Sequence, residues 1–287
     1  MDESKRMKNF RKWLINAVPR FPNDKATLAL LEEKHLVDLL ILFLNWRVRF
    51  VAPRKRAVSI EKAAAIDPRW TTLSARIDPL LNKVENGEDL TPYLSRKAIS
   101  KGFSAETEKN DPNADHWADK DFLLNVMGLH HFHLVPCDGT SGRDAHNDIL
   151  FASVSREQFE VIGIYNHEVF ESSVPGSMAA ERAQLWRIFE EREQRGALPG
   201  QLLFGGMGGF GITLSGHPSI LVSAAQRYYQ IIRDMDPQLD EQSFITDMYP
   251  PASVPAKPKL KWRLNYLDLG VLDETTSTFF IYAKGPN

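Results

Sequence analysis

GLHHFHLVPCDGTSGRDAHNDILFASVSREQFEVIGIYNHEVF, residues 128–170, is the stretch whose reading decides the fold. Three runs rich in β-branched, bulky apolar and aromatic residues are separated by polar turn residues, the pattern of consecutive β-strands, and a meander is the simplest pairing. Side chains alternate along a strand, so Leu129, His131, His133 and Val135 share one face while His130, Phe132 and Leu134 share the other. Of the 8 histidines in the chain, His130, His131, His133, His146 and His167 fall in this one stretch.

The turn from Pro136 to Asn147 returns with Arg143, His146 and Asp148 near a strand end, and the third run delivers Tyr165, His167 and Glu168 at its exit. Imidazoles, a guanidinium and carboxylates gathered on one surface suit general acid/base work or the binding of an anion. The residues expected to form the site are therefore His131, His133, Arg143 and His167. His130 and His131 also read as hydrogen-bonded structural residues of a sheet, and His35 reads as a packed helix residue.

Working outward, the 287 residues are enough for one large core or two modest ones, and 43% hydrophobic with 25% charged residues is the composition of a folded chain. Cys137 is the single cysteine, which leaves no intramolecular disulfide and no multi-thiolate zinc site. The opening MDESKRMKNFRKW lacks the apolar core and cleavage site of a secretory signal. The most apolar run, Leu36 to Trp46, falls short of the roughly 20 residues that span a bilayer. The expectation is a cytoplasmic chain without membrane contact. The net charge is −2, with Lys and Arg in excess over the first sixty residues, so a local surface for RNA or an acidic partner is permitted.

The expected fold class is α+β: a helical N-terminal half, residues 1–101, followed by a mostly antiparallel sheet with packed helices over residues 116–287. Helices are expected over Ser4 to Ala17, from Asp24 as N-cap through Trp46, around Ile60 to Ala65, and from Asp67 or Pro68 to about Val84, before the turn Asn86-Gly87. The polar stretch Gly102 to Asp115 reads as a linker or loop. A short helix from His116 to Met127 should end at Gly128. Helices from Ser177 to Gln194 and from about Pro218 to Met235 follow, and the runs LKWRLNYLDL and STFFIYAKG read as a terminal hairpin able to extend the same sheet. Between the two helices, GGMGG lacks the spacing of a phosphate-binding loop and reads as a glycine-rich turn. Trp46 to Arg56, where Arg47, Arg49, Arg54, Lys55 and Arg56 interleave with Trp46, Phe50 and Val51, reads either as a nucleic-acid contact or as a basic helix end with its turn.

The runs HFHL, NDILFASVS and FEVIGIYNHEVF stand in an order that resembles the core of RelE-type toxins, ribonucleases of toxin-antitoxin modules. That resemblance implies an RNA substrate, an antitoxin as protein partner, His167 as catalytic acid or base, and His131, His133 and Arg143 as supporting basic groups. Asn147-Asp148 and Glu168 depart from the family's basic and aromatic positions. GLHHFHL and NDILFA are also similar to phrases of an uncharacterised bacterial protein family.

Three functions stay open on the residues. One is a metal-independent endoribonuclease of RelE-like type, needing no cofactor. Another is a metal-dependent hydrolase in which His131, His133 and His167 with Asp148 or Glu168 hold the ion. The third is a non-catalytic cytosolic interaction protein, binding its partner through Arg47 to Arg56 or a sheet edge.

Overall fold

Short polar residues placed ahead of apolar helical patterns start the first helices. In the computed structural model, which describes residues 3–95, 98–99, 102–105, 123–125, 127–136, 148–170, 178–195, 217–251 and 253–286, the Ser4 hydroxyl accepts the Met7 N–H and opens helix α1, Lys5–Ala17. The Asp24 carboxylate accepts the Thr27 N–H at 2.8 Å and opens α2, Lys25–Glu33. The single helix expected from Asp24 through Trp46 is broken. Lys34 and His35 take extended backbone angles, the Lys34 N–H closes onto Leu31, and the chain restarts as α3, Leu36–Arg47, with His35 as its N-cap. His35 is thus the residue at which the two helices separate.

The chain divides into two compact units, and each joins segments from both sides of the polar stretch 102–115. One holds the described parts of Met1–Val48, Ser100–Lys109 and Ile220–Pro286; the other holds those of Arg49–Ile99 and Asn110–Ser219. Taken whole the fold is α+β, with a helical N-terminal half and mostly antiparallel strands in the second. Among the described residues no helix is long and apolar enough to cross a membrane.

In the first unit, strands β1 (Arg20–Phe21) and β3 (Phe103–Ser104) pair in parallel, and the C-terminal residues build their own sheet. The tail is three strands rather than the expected hairpin: β7, Leu260–Asn265, β8, Asp268–Asp273, and β9, Thr278–Ala283, form an antiparallel meander that does not extend the His-rich sheet. The run LKWRLNYLDL is split by a turn at Tyr266, whose φ of 52° is left-handed and cannot continue a strand. Helix α7, Ser219–Met235, leads to this sheet through Tyr228, whose hydroxyl donates to the Leu267 carbonyl at 2.7 Å. Asp236, just past α7, accepts the Trp262 indole N–H at 2.8 Å and the Arg6 Nε–H at 3.0 Å. One buried carboxylate therefore joins α1, the end of α7 and β7.

Asp273, fully buried at the end of β8, is a second such joint. Burial acts to push its carboxyl up, but the backbone N–H groups of Thr275 and Lys259 and the hydroxyls of Thr276 and Tyr249 outweigh burial and hold it down at about 2. Burial and Asp273 together push the Tyr249 hydroxyl up to about 12.

The second unit is organised by the stretch 128–170. Gly128 takes a φ of 68° and donates its N–H to the Leu124 carbonyl, ending the preceding helical turn in the left-handed conformation that suits glycine. Strands β4, Leu129–His133, β5, Ile149–Val154, and β6, Gln158–Tyr165, pair antiparallel in sequence order. A fourth strand, β2, Ala57–Ile60, lies parallel to β6, giving the order β2-β6-β5-β4. Ile60 to Ala65 has a helical pattern, but Ile60 ends β2 and only Lys62–Ala65, α4, is helix. Helix α5, Pro68–Asn86, follows the Asp67 N-cap and stops at Gly87 with a φ of 75°.

Residues of both parities are buried in β4 to β6, so the sheet is covered on both faces. Phe132, Leu150, Ala152, Phe159, Val161 and Ile164 fill one face. On the other, Leu129, Ile149, Phe151, Ile162 and Tyr165 form a core with Leu185 and Ile188 of helix α6, Ala180–Arg195, and with Val169 and Phe170. A bulge between Phe151 and Ala152, opposite Ile162, lets β6 keep apolar contact on this face. Ion pairs rim the core: Arg192 reaches Glu160 at 2.6 Å and Glu61 at 3.4 Å, and Arg69 holds Asp67 and Glu181.

Gly163 makes room for this packing, because a Cβ there would lie 2.7 to 2.9 Å from the ring and hydroxyl of Tyr165, itself fully buried. Gly163→Ala is expected to lower the unfolding free energy by about 1–3 kcal/mol through forced displacement of that ring; an unchanged denaturant midpoint would contradict the packing described. For Asp273 the sign follows from its depressed pKa. The carboxylate stabilises the fold above the ordinary aspartate range near 4, and that stabilisation is lost as pH falls through about 2. Asp273→Asn should lower stability at neutral pH by about 1–3 kcal/mol and flatten the acid limb of the stability profile between roughly pH 4 and 2, as read by chemical denaturation across that range.

Candidate functional site

The register of the sheet brings three histidines together. His133 is opposite Ile149 and Ile149 is opposite Tyr165, so the ends of β4, β5 and β6 are level. One step inward, His131 is opposite Phe151, which is opposite Gly163. His131 and His133 therefore sit two residues apart on one face, with ring centroids 6.1 Å apart.

The third imidazole arrives by a turn. β6 ends at Tyr165, and Asn166 starts a single 3₁₀ turn, His167–Phe170, by accepting the Glu168 N–H on its side-chain oxygen at 2.9 Å and the Val169 N–H on its backbone carbonyl at 3.2 Å. His167 is the first residue of the turn, and its ring lies 5.6 Å from that of His133. His131, His133 and His167 thus form a continuous row, each half-buried.

Aromatic rings wall the inner side of the row. Phe170 meets His131 edge-on at 5.0 Å and His167 at 6.0 Å, and Phe151 lies 5.9 Å from His131. Nothing in the local sequence marks Phe170 as part of the row, because its three-residue spacing from His167 places both rings there only when the segment is a 3₁₀ turn. Phe151, in turn, packs edge-on against Tyr165 at 5.4 Å. Burial pushes the Tyr165 hydroxyl well above its ordinary range, so the phenol stays protonated behind the row.

The remaining candidates fall elsewhere. His130 is on the opposite face, 3% exposed, its ring 6.2 Å from Phe132, and belongs to the packing of that face. Asp148 precedes β5 and is half-buried, and Glu168 is exposed beside His167. Arg143, His146, Cys137 and the GGMGG turn lie outside the described residues. Among the described residues no group of three His, Cys, Asp or Glu side chains is disposed to hold a metal ion.

The basic segment is not laid out as an open strip. Arg47 lies over the rings of Tyr266 at 4.1 Å and Trp46 at 5.6 Å, and Arg49 and Arg56 are buried. Arg54 is half-buried, and Lys55 is exposed.

No family model matches the sequence, and no curated protein and no solved structure matches it significantly. The chemistry available is therefore that of the row itself. Neighbouring imidazoles can accept a proton at one ring and donate one from the next, and an aromatic wall that keeps water from one side strengthens their interaction with a bound anion.

Proposed function

We propose that the chain is a metal-independent endoribonuclease, similar in chemistry to RelE-type toxins, acting on RNA in the cytoplasm and held in check by an antitoxin-type protein partner. The observation that carries this reading is the contiguous row His131, His133 and His167 at the level ends of three antiparallel strands. RNA supplies its own nucleophile, the 2′-hydroxyl, so cleavage needs a base, an acid and a cation near the phosphate.

In this mechanism His167 and His133 form the acid/base couple. One imidazole removes the 2′-hydroxyl proton as that oxygen attacks the adjacent phosphorus, and the other protonates the departing 5′-oxygen. The products are a 2′,3′-cyclic phosphate and a 5′-hydroxyl end. His131, held against Phe170 and Phe151, orients the couple, and Arg143 is the residue assigned to the charge that develops on the phosphate oxygens.

Purified protein should cleave single-stranded RNA in the presence of EDTA with a bell-shaped dependence on pH. His167→Ala should reduce the rate by roughly 10²–10⁴, the ordinary worth of a positioned acid or base. Full activity in His167→Ala, or loss of cleavage on chelation that added metal restores, would overturn the reading. A parent protein that cuts no RNA, together with unchanged partner binding in a folded His131/His133/His167 triple alanine variant, would favour the non-catalytic alternative.

A further inference from the structure

Strand β9, Thr278–Ala283, is bonded to β8 on one side and has no strand on the other among the described residues. Its sequence, TFFIYA, is uncharged and rich in the aromatic and β-branched residues that favour strands. Edge strands are ordinarily blunted by charges, prolines or cover, since an open row of N–H and C=O groups is a template for another strand. The opposite edge of this sheet follows that practice: β7 carries Lys261 and Arg263, and Arg263 turns onto the ring of Trp13 in α1. β9 carries neither a charge nor a proline.

Which backbone groups of β9 face outward follows from Gly270. A Cβ on Gly270 would run into the Phe280 carbonyl oxygen, so that carbonyl points toward β8. Successive residues of a strand turn their N–H and C=O to opposite sides, so those of Phe279 and Ile281 point away from β8. Among the described residues no backbone group pairs with them. The side chains there are open as well. Ile281 is 49% exposed, and half-buried Phe279 lays its ring over Gly270, where a Cβ would come within 2.6 Å of it. Phe280 and Tyr282 turn to the other face, onto Tyr249 at 4.9 Å and Trp262 at 5.6 Å. The register shift at Tyr282 lies beyond Ile281, so Thr278–Ile281 pairs regularly with β8.

From this edge we infer that the chain forms a two-fold dimer in which β9 pairs antiparallel with β9 of a second copy, joining two three-stranded sheets into one. The strand is complementary to itself. A two-fold axis through Phe280, normal to the sheet, sets Phe279 of each copy opposite Ile281 of the other. The outward N–H and C=O of these residues then bond to one another, so each copy satisfies the groups the other leaves open. On the outer face the same register places an aromatic ring beside a β-branched side chain, a pairing that stabilises neighbouring strands. Lys284, the charge next to β9 in sequence, falls at Thr276 of the other copy rather than at a second lysine. A charged partner would find no countercharge along the strand, whereas a second copy brings a neutral edge to a neutral edge. The dimer does not rest on the nuclease reading.

Sedimentation velocity of the intact protein across the micromolar range tests the pairing. The parent should pass reversibly from monomer to dimer as its concentration rises. Ile281→Lys, a change at an exposed position, should keep the parent's melting temperature at low concentration and weaken dimerisation by roughly tenfold or more. Ile281→Val should dimerise as the parent does. Amide exchange gives a second readout on the unaltered chain. The Phe279 and Ile281 amides should exchange slowly in the dimer and fast on dilution, while the Phe280 amide, which faces β8, stays protected throughout. A parent that remains monomeric across that range, or a dimer that Ile281→Lys leaves intact and in which the Phe279 amide is unprotected, would overturn the proposal. An added extended peptide captured on β9 by a parent that stays monomeric would also overturn it, and would assign the edge to a partner's strand.

Discussion

Two-sided burial of the strand Leu129–His133 and its partners is the constraint on which the second unit depends. Successive residues of a strand point to opposite faces, so a slip of one residue would exchange His131 and His133 with His130 and Phe132. Phe132 packs in one core, its ring 5.3 Å from Phe159, while Leu129 packs in the other. Neither face accepts the exchange, which would put a half-buried imidazole in the fully buried place of Phe132 against Phe159 and take Leu129 out of the opposite core. Burying one large apolar side chain is worth about 2 kcal/mol, so even a few misplaced residues would consume much of a domain's stability. The Gly128 turn sets where the strand begins, and the bulge opposite Ile162 lets β5 and β6 meet that register.

The buried polar groups serve as joints, in different ways. Asp236 and Asp273 each draw together donors far apart in sequence, Arg6 and Trp262 in one case and Lys259, Thr275 and Tyr249 in the other. A carboxylate suits this work because it accepts several hydrogen bonds at once and its charge strengthens each. Arg56 is the converse, a donor fanned across three carbonyls. Its joint closes geometrically but not electrostatically, and so it differs from the ion-paired Arg69 and Arg192 of the same unit.

The histidine row joins packing to chemistry. Its inner edge is made by Phe151 and Phe170, core residues of the layer that α6 covers, and its outer edge stays partly open. The rings are positioned by elements the fold already needs: strand alternation for His131 and His133, and an asparagine-started turn for His167. A site held in this way needs no mobile loop to assemble its three imidazoles.

Much of the architecture was legible in the sequence because it depends on neighbouring residues. Asp24, Asp67 and Gly128 act as the helix boundaries their side chains and backbone freedom suggest, and the alternation of 128–170 gave both the strands and the sharing of a face by His131 and His133. Other features depend on residues far apart, and local patterns carry no trace of them. Ile60 became a strand residue because it could pair with Val161, a hundred positions away, and that pairing outweighed the helical tendency of the alanines that follow it. The C-terminal strands formed their own sheet because Tyr228, Asp236 and Arg6 hold them with the first helices. The sequence by itself determined which residues could share a face. Only the tertiary structure decided that His167 would close the row and that Arg56 would be buried among carbonyls, since both depend on turns whose neighbours are supplied by chain closure rather than by sequence order.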